Sequence, residues 1–405
     1  MAEVEVSTKQ CQRVAQRIGR ARVAEREAQR EAFEQLPLPQ RRIPPVDAPA
    51  NDWSGRVAAV LIDGGRAQRR DERWGTPRAP GEKKRRWWRE PKVACVMTFQ
   101  SHPHDHDPLP EIPECLLDPL WIVPRINDIK RTRRAAPSAE DPQGEGSLPG
   151  DAASPAVCVE ETPREPATVL TGTRALDSQL TRKEQAEHWS PPPLVKSVVA
   201  TFGSYEQLGQ LARVEAWRRG FDAAERKVFL GDGHQSNWVT RDQQFSTYIP
   251  VTDLLHAFSY VYTAAVESSS DMETAWACYC HWARAVWQGR VRDVLAELEP
   301  LAAAAADPTT AERLRTSATY LHNNADRMQY DRYRQMGLPI TTTQIESTIK
   351  QLNRRMKGTE KFWDLGGEPQ LQLCVDLISD TEPLEIFWKK RARSQTGFRN
   401  RCAKG

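Results

Sequence analysis

Two short apolar runs, each ending in an aspartate, constrain the fold of this chain more than any other feature. One run, at 57–62, leads into Asp63-Gly-Gly, and the other, at 228–231, leads into Asp232-Gly. Short apolar runs bounded by glycine are typical of buried β-strands. An ionised carboxylate at the end of a buried strand is costly unless a cation compensates it. Asp63 and Asp232 are therefore candidate metal ligands, although aspartate before glycine is also common in β-turns.

The rest of the pattern predicts an α/β protein whose second half is helical. A charged amphipathic helix is expected over 9–35, and Leu36-Pro-Leu-Pro39 ends it. Further strands are expected at 66–73, 92–99 and 245–251, and a further helix at 205–219. Beyond Asp253 the pattern predicts helices at 254–267, 271–288, 290–304, 309–335, 342–356 and 368–380.

Composition suggests how the chain divides. Residues 132–170 are rich in Pro, Ala, Ser, Glu and Gly and poor in large apolar residues, so we expect a flexible insertion there. The proposed segments are an N-terminal helix and Pro-rich linker (1–50), a first part of the core (51–131), the insertion (132–170), a second part of the core (171–257), an all-helical insertion (258–338), a segment with the Glu346 helix and C-terminal helices (339–392) and a basic tail (393–405).

The sequence predicts a cytoplasmic protein. It has no apolar run of 18 residues and no apolar core of a signal peptide near its start. Its eight cysteines are scattered without a Cys-x-x-Cys pair, which is typical of reduced thiols.

Glu346 is a third candidate carboxylate, on the helix predicted at 342–356. Thr341, Thr342 and Thr343 are expected to cap that helix. Three cations follow Glu346 at helical spacing and would share its face: Lys350, Arg354 and Lys357. Such an arrangement suits a metal site beside a phosphate backbone, but an ordinary surface pair of Glu346 and Lys350 is an alternative.

Asp253 and His256 stand three residues apart at the start of a predicted helix, on one face. His256 could form a hydrogen bond to a metal-binding carboxylate from behind the metal site. Alternatively, Asp253 alone satisfies the histidine at the helix start.

One basic run also contains aromatic residues. Lys84, Arg85 and Arg86 lie in Lys83-Lys-Arg-Arg-Trp-Trp-Arg89, which suits phosphate contact and base stacking. A solvated charged surface is the alternative. The net charge of the chain is only +3, so overall charge does not indicate a partner.

Taken in order, the motifs resemble those of DDE transposases of bacterial insertion sequences. The matching motifs are Asp63-Gly-Gly-Arg66, Arg89-Glu-Pro-Lys92, Gly231-Asp232-Gly233 with Trp238, Asp253-x-x-His256, Ile345-Glu346-Ser347, Asn323-Asn324-x-x-Arg327 and Gly337-Leu-Pro-Ile340. The Asp-x-x-His pair resembles a feature of Mutator-like relatives. The chain departs from the pattern at its N-terminus, where no zinc-finger or helix-turn-helix module is evident.

The resemblance implies an RNase H-like mixed-sheet core, interrupted by an all-α insertion and preceded by an N-terminal helix. It implies a Mg²⁺-dependent DNA transposase in which Asp63, Asp232 and Glu346 are catalytic and hold two Mg²⁺ ions, for which Mn²⁺ can substitute. Asp253 and His256 would support the site from behind.

The implied partners are transposon ends and target DNA, bound by a homo-oligomer of this chain, and no membrane partner is expected. The implied location is the bacterial cytoplasm, with the protein at the nucleoid when it is bound to DNA. The expected DNA contacts are Arg66, Trp238, Lys84, Arg85, Arg86, Lys350, Arg354 and Lys357. The alternatives are a nuclease of the same fold and a non-catalytic DNA-binding protein derived from a transposase.

Overall fold

The computed structural model describes residues 7–45, 52–65, 67–69, 88–135, 190–357, 362–363 and 367–393. A five-stranded mixed sheet lies at its centre. The strands are β1 (Arg56–Gly64), β2 (Lys92–Gln100), β3 (Pro193–Thr201), β4 (Lys227–Gly231) and β5 (Ile249–Thr252). Their order in the sheet is β3-β2-β1-β4-β5. β2 runs antiparallel to both β1 and β3, whereas β4 is parallel to β1 and β5 is parallel to β4.

β1 is the middle strand, and its apolar run is fully buried. Val57, Ala59 and Leu61 belong to one hydrophobic cluster, whereas Ala58, Val60 and Ile62 belong to another. Because successive side chains of a strand point to opposite faces, the two clusters mark the two faces of the sheet. A strand covered on both faces reads as a continuous apolar run rather than an alternating one.

The helices in chain order are α1 (Thr8–Gln35), α2 (Pro119–Ala135), α3 (Tyr205–Arg218), α4 (Gln235–Gln244), α5 (Leu254–Glu267), α6 (Met272–Trp287), α7 (Val291–Ala304), α8 (Pro308–Asn324), α9 (Tyr330–Gln335), α10 (Thr343–Met356), α11 (Gly367–Ile378) and α12 (Pro383–Arg393). Helices α5, α10 and α11 contribute to the cluster around Leu61, and α3 and α4 to the cluster around Val60. The sheet is therefore covered by helices on both faces. A small second sheet joins Ala67–Arg69 with Trp88–Arg89 and Phe362–Trp363.

The N-terminal helix α1 packs on α11 rather than standing apart. Arg22 is buried and binds both carboxylate oxygens of Asp376. Arg26 donates to the backbone oxygen of Ala200 at the end of β3 and to Gln372 of α11. These contacts attach α1 directly to the body that carries the sheet.

The structure confirms an α/β protein with an N-terminal helix, a five-stranded mixed sheet and many helices after it. It also corrects several predicted boundaries. The last strand begins at Ile249 rather than 245, and the helix predicted over 309–335 is divided between α8 and α9 by a turn at Ala325–Arg327. The sequence pattern does not predict α2, β3, α4 and α12, or the short strands Trp88–Arg89 and Phe362–Trp363.

Two predicted segments are only partly described. Residues 132–135 of the predicted insertion belong to α2, and the remainder of that insertion lies outside the described residues. The basic tail beyond residue 393 also lies outside them. In the part that is described, no helix combines the length and the apolar character needed to cross a membrane.

Candidate metal centre

Asp63 near the end of β1 and Asp232 directly after β4 lie at the same edge of the sheet, because β1 and β4 are neighbouring parallel strands. Leu61 of β1 pairs with Leu230 of β4, and Asp63 and Asp232 each follow two residues later. Neighbouring strands are about 4.8 Å apart. Leu61 and Leu230 both belong to the cluster that contains α10, and alternation directs the side chain of Asp63 to that same face.

Asp63 has an unfavourable environment for a negative charge. Burial raises its pKa to about 7, and the charge of Asp232, followed at a lower level by that of Glu346, adds to the rise. The charge of His256 and a hydrogen bond of 2.6 Å from the N–H of Gly64 oppose it. A cation beside Asp63 would remove this penalty.

Asp232 is held in place by the turn that leads from β4 into α4. Its Oδ1 accepts hydrogen bonds from the N–H of His234 at 2.9 Å and from Nδ2 of the buried Asn237 at 2.8 Å. Tyr320 of α8 donates to the backbone oxygen of Asp232 at 2.9 Å. Gly233 has a positive φ of 90°, and its α-carbon lies against the Tyr320 ring, so a side chain there would collide with the ring. The orientation of Asp232 is thus fixed by several independent contacts.

Glu346 approaches from the first turn of α10, which packs on β1 and β2. Ile345, Ile349 and Leu352 bury the apolar face of this helix in the cluster around Leu61. One carboxylate oxygen of Glu346, Oε1, is buried and has no hydrogen-bond partner in the described part of the chain. Burial raises the pKa of Glu346, and the charge of Asp253 raises it further.

Asp253 connects the start of α5 to the start of α10. Its Oδ2 accepts from the backbone N–H and from Nδ1 of His256, both at 2.8 Å. Its Oδ1 accepts from the N–H of Thr342, the residue before α10, at 2.6 Å. Burial alone would raise the pKa of Asp253, but the hydrogen bonds and charge of His256 hold it below its usual value. Asp253 is therefore an ionised carboxylate that both caps a helix and orients a histidine.

Among the described residues, one group has the spacing of a metal-binding cluster. It consists of Asp253, His256 and Glu346, whose potential ligand atoms lie within 4.8 Å of one another. Asp63, Asp232 and Glu346 do not form such a close group, although the charges of Asp232 and Glu346 both act on Asp63. The structure thus places the Asp253–His256 pair beside Glu346, whereas Asp232 and Glu346 act on Asp63 through their charges.

The predicted cations near Glu346 are exposed. Lys350 and Arg354 lie on α10 at the predicted spacing, and the charge of Lys350 acts on Glu346. Lys357 follows the end of α10 with an extended backbone, so helical spacing does not place it beside the other two.

Thr342 precedes the helix, but its side chain makes no capping hydrogen bond, contrary to the expected threonine cap.

The predicted DNA contact at Trp238 is corrected by the structure. Its side chain is 3% exposed and packs on Phe229, and its indole N–H donates to Asn324 at 3.0 Å. Trp238 is a core residue because α4 closes one face of the sheet. The other predicted contacts, Arg66, Lys84, Arg85 and Arg86, lie outside the described residues.

Two residues beside the centre were not assigned a role from the sequence. Glu90 lies against Gly64, so closely that a side chain on Gly64 would overlap its carboxylate. Burial raises the pKa of Glu90 despite the nearby charge of Lys92. Burial also raises the pKa of Tyr205, and the charges of Glu90, Asp232 and Asp63 add to that effect. The Arg89-Glu-Pro-Lys92 motif contained Glu90, but only the pairing of Gly64 with Lys92 shows that it adjoins the centre.

Comparisons of the chain with protein-family models, with curated proteins and with solved structures gave no match.

Proposed function

We propose that this protein is a DDE transposase that cleaves DNA strands at insertion-sequence ends and transfers the freed ends to target DNA. The observation that carries the proposal is the position of Asp63 and Asp232, each two residues after the paired Leu61 and Leu230 of β1 and β4, with Glu346 on a helix that packs on the same sheet. The resemblance implies one aspartate on the first strand, one on the fourth and a glutamate on a helix after a helical insertion; Asp232 directly follows the fourth strand. The chain has this order, with α5 to α9 between β5 and α10.

The order and direction of the strands in the sheet also support an RNase H-like core. Its three long strands form an antiparallel unit, and two shorter parallel strands follow on the other side of β1. This order places the carboxyl ends of β1 and β4 together, where ligands commonly bind in α/β proteins. The helices that intervene before α10 agree with the expected all-α insertion.

The three carboxylates are also suitable ligands for the Mg²⁺ ions that the proposal requires. Mg²⁺ prefers oxygen ligands and is usually held by one or two carboxylates. Oε1 of Glu346 is buried without a hydrogen-bond partner in the described part, which is unfavourable unless a cation satisfies it. Asp63 likewise carries a pKa raised by burial and by Asp232. Asp63, Asp232 and Glu346 would hold the metal ions, which when bound activate an attacking oxygen and stabilise the leaving oxygen of an in-line displacement.

Other residues have supporting roles. Asn237 and the N–H of His234 fix the carboxylate of Asp232, and Asp253 fixes the start of the helix that carries Glu346. The exposed cations Lys350 and Arg354 would meet backbone phosphates, which position DNA without reading its sequence.

The test is strand cleavage by the Asp232→Asn variant, on a plasmid that carries the DNA flanking the gene. Asparagine keeps the acceptor for His234 but lacks the charge that holds Mg²⁺, so cleavage should fall to background. Asp242→Asn is the matched control, because Asp242 is an exposed residue of α4 paired with Arg241. Equal cleavage by Asp232→Asn and wild type in Mg²⁺ would refute the proposal. Cleavage without joined products would indicate a nuclease of this fold instead.

A further inference from the structure

His256 lies beside Glu346 at a distance suited to a shared ion. The potential ligand atoms of Asp253, His256 and Glu346 are all within 4.8 Å of one another. The charges of His256 and Glu346 both act on the carboxyl group of Asp63, so the histidine faces the same centre as the three carboxylates. His256 is nearly buried, with 8% of its surface exposed.

Asp253 is already occupied by hydrogen bonds. One of its oxygens accepts from His256 twice, and the other accepts from the N–H of Thr342. These three bonds take most of the roughly four acceptor positions of the carboxylate, and they hold α5 and α10 together. Its role is therefore that of the carboxylate that orients a histidine behind a metal, an arrangement common in metalloproteins.

The hydrogen bond between the two side chains also fixes the histidine tautomer. Asp253 is ionised and can only accept, so Nδ1 of His256 must carry the proton that is donated to it. In the neutral ring, Nε2 then carries the lone pair. A divalent cation that displaced the second proton of the ring would therefore bind through Nε2.

We infer that His256 supplies a nitrogen ligand to a divalent cation held beside Glu346, with Asp253 orienting the ring. Oε1 of Glu346, buried and without a hydrogen-bond partner in the described residues, supplies the adjoining oxygen. The inference rests on the proposed function, which places a cation at Glu346. It adds that one position of the centre has mixed nitrogen and oxygen ligands.

A nitrogen ligand changes the expected metal preference. Imidazole suits transition metals, whereas Mg²⁺ favours oxygen ligands only, and affinity for nitrogen-containing sites rises from Mn²⁺ towards Zn²⁺. The centre should therefore bind Mn²⁺ more tightly than Mg²⁺. Removing the imidazole should weaken Mn²⁺ binding by about tenfold or more, with a much smaller effect on Mg²⁺.

Pulsed electron paramagnetic resonance of Mn²⁺ bound to the full chain tests this directly, without any DNA. Wild type should show coupling of Mn²⁺ to ¹⁴N, and His256→Gln should lose it. His234→Gln is the matched control, since His234 is the other imidazole beside the aspartates and follows Asp232 by two residues. It should retain the coupling.

If His256→Gln fails to fold, wild type labelled with ¹⁵N-histidine is used instead. The frequency of the coupling between Mn²⁺ and nitrogen should then change with the isotope. In that case the retained signal of His234→Gln excludes the other imidazole beside the aspartates, and the isotope effect shows that a histidine supplies the nitrogen. Mn²⁺ bound without nitrogen coupling, or coupling lost only in His234→Gln, would overturn the inference and leave the carboxylate site of the proposed function standing. The absence of any Mn²⁺ or Mg²⁺ binding would overturn both.

Discussion

At the scale of single residues, Asp63 gives the clearest pH-dependent prediction. Its pKa is about 7 in the folded protein, above the value of 3.8 for an ordinary aspartate. The folded state therefore binds more protons than the unfolded state between about pH 4 and 7, and stability falls as the pH rises through that window. Asparagine cannot ionise. In metal-free buffer at pH 8, Asp63→Asn should be more stable than wild type by up to about 4 kcal/mol, and the difference should shrink towards pH 4.

Urea unfolding in the presence of a chelator, from pH 4.5 to 8, measures this difference. Asp242→Asn is the control and should match wild type at every pH, because Asp242 is exposed on α4. Equal unfolding free energies for Asp63→Asn and wild type at pH 8 would show that Asp63 is not destabilised by its surroundings.

The sequence was sufficient to single out Asp63 and Asp232, because a fully buried strand leaves a continuous apolar run with an abrupt polar end. It was not sufficient for Glu90 or Asn237. Glu90 adjoins the centre only because Lys92 pairs with Gly64, and Asn237 does so only because α4 folds back over the turn after β4. Such contacts depend on strand register and on chain reversal, which a single sequence does not display.

At the scale of elements, the basic group formed by Lys350, Arg354 and Lys357 predicts how DNA binding depends on salt. Each phosphate contact releases counterions, so the logarithm of affinity falls with that of salt by about 0.9 per contact on duplex DNA. Replacing all three by Gln should reduce the slope by about 2–3 and weaken binding to all sequences alike. Because Lys357 lies beyond the end of α10, a loss nearer 2 would indicate that only the helical pair meets DNA.

The matched control removes the same charge from α12, by replacing Lys389, Lys390 and Arg391 with Gln. Lys389 and Lys390 are exposed and pair with Glu385 and Glu25. A salt titration of duplex affinity for the two triple variants and wild type separates the two surfaces. If both variants reduce the slope equally, α10 has no particular contact with DNA.

The attachment of α1 to α11 gives a second prediction at this scale. Asp376→Ala would leave the buried guanidinium of Arg22 without its main partner, and breaking a buried pair costs about 3–5 kcal/mol. Glu34→Ala is the control, because Glu34 is an exposed partner of Arg30 and should contribute about 0.5 kcal/mol or less. Urea unfolding measures both changes. A small loss for Asp376→Ala would mean that α1 does not depend on this pair.

Helices with an apolar stripe were predictable from the sequence, whereas polar and edge elements were not. β3 begins at the last of three consecutive prolines and includes Lys196 and Ser197, as suits the edge of a sheet, and the sequence pattern does not predict it. α8 ends at Asn324, whose side chain accepts hydrogen bonds from Trp238 and Thr252. These bonds join residues distant in sequence.

At the scale of the whole molecule, one hydrophobic cluster runs from the sheet through the helical segment to α11. The α/β class with a helical second half was predictable because the period of the apolar pattern changes near Asp253. The position of that helical segment against the sheet was not, because it depends on contacts such as that of Tyr330 with the backbone of Thr252.

The candidate metal ligands come from three distant parts of this single body: β1, the turn after β4, and α10. A cation bound by Asp63, Asp232 and Glu346 would bind the folded state and not the unfolded chain, in which those residues are far apart. The stabilisation should then grow with metal concentration, reaching about 2.7 kcal/mol at one hundred times the dissociation constant.

Thermal unfolding measures this effect. Increasing Mg²⁺ or Mn²⁺ should raise the melting temperature of wild type and of the control Asp242→Asn. It should raise that of Asp63→Asn much less, because the variant lacks one charged ligand and no longer carries the repulsion that a cation relieves. An equal rise in all three proteins would remove the metal role of Asp63.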